Sequence, residues 1–145
     1  MDDKVPVAYI VIPILIFLPI FFVLLLGLIS FVLSAGGWRQ LARQFGARAG
    51  VNGNTTYRVV GFIGSSSYRG AIKVTTTASG LQIEASPALY IGHTPLFIPF
   101  GVLRNPRKAA MFRGVDYVVF DVGTPPITQL KLPVAIFKGT VAEVR

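Results

Sequence analysis

The chain has 145 residues, 14 lysines and arginines against 6 acids for a formal net charge of +8, 52% hydrophobic residues and no cysteine. The lack of thiols excludes disulfides, cysteine-held zinc or iron–sulfur clusters and thiol nucleophiles. The mean hydropathy of +0.63 is inflated by the amino-terminal stretch, and the rest of the chain, about 110 residues, is the size of one small domain.

Residues 5–33 carry no charged side chain. An α-helix rises about 1.5 Å per residue and roughly 20 residues cross the hydrocarbon of a bilayer, so a transmembrane helix is predicted over 5–35. The run far exceeds the core of about 7–15 residues in a cleavable signal, which predicts a retained anchor. Pro6, Pro13 and Pro19 predict a kinked first half, because each interior proline removes a donor and clashes one turn back. Ser30 and Ser34, with Gly27 nearby, form a small-xxx-small pair of the kind seen in paired helices. Lys4 with Asp2 and Asp3 precedes the run, whereas Arg39, Arg43 and Arg48 lie after it. The positive-inside rule then predicts an outside amino terminus and a cytoplasmic carboxy-terminal domain.

Segment 36–50 reads as a juxtamembrane amphipathic helix and linker. Trp38, Leu41, Ala42 and Phe45 recur at helical spacing, and Arg39 and Arg43 share another face. Trp38, Arg39 and Arg43 are therefore expected at the membrane interface, on a helix that either lies on the headgroups or continues the anchor before packing on the domain. Gly46, Gly50 and the Asn52-Gly53-Asn54 cluster end it.

Within residues 51–145, six strand-like runs at 56–63, 68–77, 81–85, 96–100, 115–122 and 127–132 predict a small antiparallel barrel or sandwich. Ser79-Gly80 is the predicted turn between the second and third runs. Pro133 opens a predicted helix through Val134, Ile136, Phe137, Val141 and Val144, weakened by Gly139.

All basic residues except Lys4 lie beyond the apolar run, opposed there by Glu84, Asp116, Asp121 and Glu143. Arg58, Arg69 and Lys73 flank Gly61-Phe62-Ile63-Gly64-Ser65-Ser66-Ser67, a connection whose backbone donors and hydroxyls suit a phosphate. It has neither the Gly-Lys-Ser/Thr ending of a P-loop nor the spacing of a dinucleotide fingerprint. Arg104, Arg107, Lys108 and Arg113 surround Asn105-Pro106 and read as a solvated basic loop, available to anionic lipid headgroups or an acidic partner. No nucleic-acid-binding motif is present, and nucleic acid is not expected as a partner.

His93, the single histidine, has no cysteine or acidic neighbour at metal-ligand spacing and no nucleophile elbow to serve. It is expected to hydrogen-bond backbone in a turn that aims the next strand. No catalytic residue, cofactor site or metal site is predicted.

Gly80-Leu81-Gln82-Ile83, then Ile91-Gly92-His93-Thr94-Pro95-Leu96-Phe97-Ile98-Pro99-Phe100, resembles a group of uncharacterised bacterial single-pass proteins. Their pattern pairs a Gly-Leu strand start with a His-x-Pro-Leu-x-Ile-Pro-aromatic segment; the aromatic is Phe100 here and tryptophan in the group. These proteins in turn resemble pleckstrin-homology-like and GRAM-like domains. The resemblance spans residues 36–145, including Trp38-Arg39-x-Leu41-Ala42. It implies a bent antiparallel barrel of about seven strands closed by a carboxy-terminal helix, used for binding rather than catalysis.

The combined expectation is a single-pass protein of a bacterial inner membrane, with one amino-terminal transmembrane helix and then a mainly-β, pleckstrin-homology-like domain. It would act without catalysis as a binding or scaffold module, presenting a basic domain to protein partners at the cytoplasmic face. The alternatives are a reader of anionic lipid headgroups and an accessory subunit of a membrane complex.

Overall fold

A computed structural model describes residues 5–47 and 50–143, the side chains of 111 and 112 excepted. Lys4, Asp2, Asp3 and Arg48 of the flanking charge pattern, and Val144 of the predicted carboxy-terminal helix, lie outside the described residues.

Helix α1 spans Val7–Leu33, with Pro6 at its N-cap. Proline suits a helix start because its fixed φ matches the helix and its missing N–H has no partner to lose there. Pro13 and Pro19 lie inside α1 and leave the carbonyls of Tyr9 and Leu15 without their usual intrahelical donors. Only Gly27 and Ser30 of α1 are buried, so apolar side chains face outward along its length. The helix is long and apolar enough to cross a membrane.

A wide π-type turn over Ser34–Trp38 comes next, in which Gly37 takes φ 151°. This is a conformation that a residue with a β-carbon adopts at a cost. Helix α2, Arg39–Gln44, completes the same helical run. Residues 36–44 thus continue the helical run of α1 and pack on the β domain. Trp38 and Leu41 are fully buried in the core, which corrects the expectation that Trp38 sits in a headgroup layer. A curled sheet has a concave face that one large aromatic can fill, and the indole N–H is satisfied there by the Thr94 carbonyl at 2.8 Å.

Among the described residues the strands are β1 Asn54–Ile63, β2 Ser66–Thr76, β3 Gly80–Ala85, β4 Leu96–Pro99, β5 Leu103–Phe112, β6 Val115–Val122 and β7 Thr128–Pro133. They form one antiparallel sheet in the order β4-β3-β2-β1-β7-β6-β5, curled into a half-barrel. Gly64 turns β1 into β2 with φ 59°, and a β-carbon there would collide with the Gly36 carbonyl.

The two edge strands, β4 and β5, are consecutive in the chain and joined by a 3-10 turn, Phe100–Val102. The β4 edge is covered by the chain leaving α2: Gly46 bridges Leu96, the Ala47 N–H donates to the Pro95 carbonyl at 3.1 Å and the Phe97 N–H to the Phe45 carbonyl at 3.2 Å. Among the described residues, β5 has only β6 as a strand neighbour.

β5 is the strand that pattern reading missed, taking Arg104, Arg107 and Lys108 as a solvated loop. Asn105, at φ 51°, and Pro106 fall where the register shifts between Arg104 and Arg107. The bulge destroys the two-residue alternation, and an edge strand tolerates both charge and proline.

The core follows the strand period: Leu81 and Ile83, Val118, Phe120 and Val122, and Leu130 and Leu132 turn inward onto Trp38 and Leu41. Each such side chain, fully buried, stabilises by about 1.5–3 kcal/mol. Ile136 and Phe137 reach the same core from a 3-10 turn, Val134–Phe137, with the Phe120 and Phe137 rings 5.0 Å apart. This turn stands where a longer helix was expected. Lys138 is extended and Gly139 has φ 76°, so the helical path stops there.

Candidate functional site

The most elaborate polar constellation joins α1 to the β domain. Gly27, Ser30 and Ser34 fall at i, i+3 and i+7, on one face of the helix. That face receives the segment between β3 and β4. A β-carbon at Gly27 would lie 2.8 Å from the Tyr90 hydroxyl oxygen and 3.0 Å from Ile91 Cδ1, so glycine permits the close approach. The Tyr90 hydroxyl donates to the Val23 carbonyl at 3.0 Å. Ser30 Oγ donates to the Ile91 carbonyl at 2.8 Å and accepts from the Ile91 N–H at 3.0 Å. The small-residue pattern that suggested pairing with another helix is filled by the chain's own β3–β4 segment.

His93 stands at the centre of the joint. Nδ1 lies 3.0 Å from the Ile91 carbonyl and 3.1 Å from Ser30 Oγ, and Nε2 lies 3.0 Å from the Tyr68 hydroxyl. A carbonyl only accepts, so the Ile91 contact assigns the proton to Nδ1, and Nε2 faces the Tyr68 hydroxyl, whose single proton is shared with the Leu33 carbonyl at 3.2 Å. Ser66 Oγ donates to the Leu33 carbonyl at 2.7 Å, satisfying a helix-end acceptor. The Trp38 ring closes the cluster, 4.9 Å from His93 and 5.4 Å from Tyr68.

Burial pushes the His93 pKa below its ordinary value; the Arg39 charge acts in the same direction, and the hydrogen bond to Ile91 opposes both. Burial pushes the Tyr68 phenol up. The outcome is a neutral imidazole and a neutral phenol, each held by partners within the chain. His93 therefore bonds backbone as expected and also ties two side chains to it. Among the described residues, no group of histidine and acidic side chains could hold a metal ion.

The basic residues are not gathered into one patch. Around β1 and β2, the Gly64 N–H donates to the Gln129 carbonyl at 2.8 Å and the Ser65 N–H to the Gly36 carbonyl at 3.0 Å. Two backbone donors expected to suit a phosphate are thus spent, that of Gly64 on β7 and that of Ser65 on the helix end. Lys73 pairs with Glu84 at 2.6 Å. Arg58 sits at φ 53° in a β1 bulge and Arg69 is exposed opposite Val60.

Four strands away, Arg107 makes a two-pronged pair with Asp121, at 2.9 and 3.2 Å. Asn105 and Gln129 add donors to the same carboxylate at 3.1 and 3.3 Å. Arg104 and Lys108 are exposed on β5, and Arg113 on the turn after it. Arg43 is exposed on α2. The Arg39 guanidinium lies 3.9 Å over the Phe31 ring and donates to the Phe31 carbonyl at 3.3 Å.

Beside the β5 edge is a hollow lined by Phe100, Leu103, Pro106, Phe120, Val141 and Glu143. Sequence reasoning missed Tyr68, Ser66 and Tyr90 as parts of the joint. The absence of charge between Glu84 and Arg104 singles out the segment that holds Tyr90, and no local pattern marks Ser66 or Tyr68. Compared with protein-family models, curated proteins and solved structures, the chain matches none.

Proposed function

We propose that this chain is a membrane-anchored, non-enzymatic binding module in which α1 spans the bilayer and the β domain, on the cytoplasmic side, docks an extended acidic segment of a protein partner along β5. The observation that carries the reading is the β5 edge itself. Among the described residues it has a strand neighbour on one side, presents exposed Arg104 and Lys108, and borders a hollow lined by apolar side chains and Glu143. Strand addition to such an edge takes affinity from main-chain hydrogen bonds and specificity from pockets for alternate side chains. Basic residues along the edge would favour an acidic arrival and discourage self-pairing.

The seven-stranded curled sheet supports a pleckstrin-homology-like domain in strand number. In this variant the helix before β1 fills the core, and a 3-10 turn stands where that architecture has its carboxy-terminal helix. His93, engaged through both ring nitrogens, supports binding over catalysis. Headgroup reading at the β1–β2 corner is weaker because its donors and Lys73 are already paired. The subunit reading, in which the kinked first half of α1 supplies the contacts, draws no support from the small-residue face, which is filled from within the chain.

The test is a photo-crosslinking residue in place of Lys108 on the full chain in cells, with the same residue at Thr56 on β1 as the comparison. The expected result is a discrete protein adduct from position 108, lost with Arg104→Glu and kept with Arg69→Glu. Equal adducts from both positions, or none from 108, would overturn the docking site.

A further inference from the structure

We infer that residues 87–91 are a second membrane-contacting element, placing Tyr90 and Ile91 among the phospholipid acyl chains at the bilayer surface with the Arg39 guanidinium at phosphate level. The inference rests on reading α1 as a membrane span.

Two constraints bracket the depth. A span needs roughly 20 residues, so even one beginning at Val5, next to the charged Lys4, runs past Val23. Val23 is the residue whose carbonyl receives the Tyr90 hydroxyl. From the other side, the Arg39 guanidinium rests on the Phe31 ring and carbonyl, and a charge there requires that level to lie outside the hydrocarbon. The hydrocarbon boundary therefore falls between about residue 24 and Phe31, a window of roughly 10 Å along the helix at 1.5 Å per residue. Tyr90 and Ile91 pack on Val23 and Gly27, at or just beneath that boundary.

The chemistry of the segment fits this depth. No charge occurs between Glu84 and Arg104, and Tyr90 and Ile91 remain 54% and 37% exposed beside the helix. Tyrosine concentrates at membrane interfaces. Its hydroxyl is already donated to a helix carbonyl, so it carries no unpaired donor into lipid. The domain consequently meets the bilayer at two points, α1 and this segment. The joint at Ser30, Tyr68 and His93 holds the two in fixed register.

The cysteine-free full chain allows single nitroxide labels at Ala88→Cys and Ile91→Cys, in vesicles of phosphatidylcholine with phosphatidylglycerol. Labels at Leu18→Cys in α1 and Asp116→Cys on β6 serve as references. The readout is collision with dissolved oxygen against a water-soluble nickel chelate. The expected result is a several-fold shift towards oxygen at 88 or 91 relative to 116. If both loop labels match 116 while 18 is lipid-like, the inference fails and the membrane span stands. If 18 also matches 116, the span itself fails.

Discussion

The Tyr68 hydroxyl of β2 lies 3.0 Å from Nε2 of His93, and this pair, backed by Ser30, makes the long helix and the half-barrel one joined body. The Nδ1–H of the same ring faces the Ile91 carbonyl at 3.0 Å, so the imidazole is fixed from both ends. Tyr68→Phe removes the hydroxyl shared by Nε2 and the Leu33 carbonyl and leaves buried polar groups short of a partner, at a cost of about 1–3 kcal/mol. Thermal unfolding of the full chain in detergent measures it, and an unchanged midpoint would contradict the role given to the pair.

The neutrality of His93 makes this joint pH-dependent. Its folded pKa is lowered from 6.5, so the unfolded chain takes up the proton first. Its contribution to stability is complete above about pH 6.5 and declines as pH falls from there towards the folded-state value. Unfolding midpoints collected from about pH 8 to about pH 5 are expected to drop on the acid side, with a shallower slope in His93→Gln. Equal slopes would show that another group carries the effect.

Trp38 belongs to the core of the domain, not to the anchor. Trp38→Ala is expected to cost about 3–5 kcal/mol. A fragment of residues 51–145 lacks both Trp38 and Leu41 and is expected to show no cooperative melt by circular dichroism. A sharp transition in that fragment would contradict this account of the core.

Asp121 is held at about 2, first by its bond to Arg107 and then by Asn105. The folded pKa is depressed from 3.8, so the contribution of this carboxylate is present above 3.8 and is lost as pH falls from there towards about 2. A carboxyl-carbon NMR titration reads the midpoint directly, and Arg107→Gln should raise it. A midpoint near 4 in the unaltered chain would mean that the two-pronged pair does not persist in solution.

The proposed orientation places the β domain in the cytoplasm. Ser66 is buried and bonded to the Leu33 carbonyl, so a reporter cysteine there would be shielded on either side of a membrane. Asp116 is exposed on β6. Asp116→Cys is expected to escape a membrane-impermeant thiol reagent in intact cells and to react once they are opened. Labelling of intact cells would reverse the orientation and move the search for partners outside.

Composition and local pattern by themselves determined the long apolar helix and most of the strands, because an uncharged run and two-residue alternation are properties of neighbouring residues. Val115–Val122 was legible from its β-branched and aromatic residues. β5 was not, since a bulge at Asn105-Pro106 and a solvent-facing edge erase the alternation. Tertiary structure alone decided that Trp38 turns into the core, that Gly27 and Ser30 receive Tyr90, Ile91 and His93 instead of another helix, and that the serine-rich turn spends its donors on the helix end. Each is a contact between residues far apart in the chain. Small residues, a serine hydroxyl or an amphipathic turn advertise a surface to be filled, and only the folded arrangement specifies what fills it.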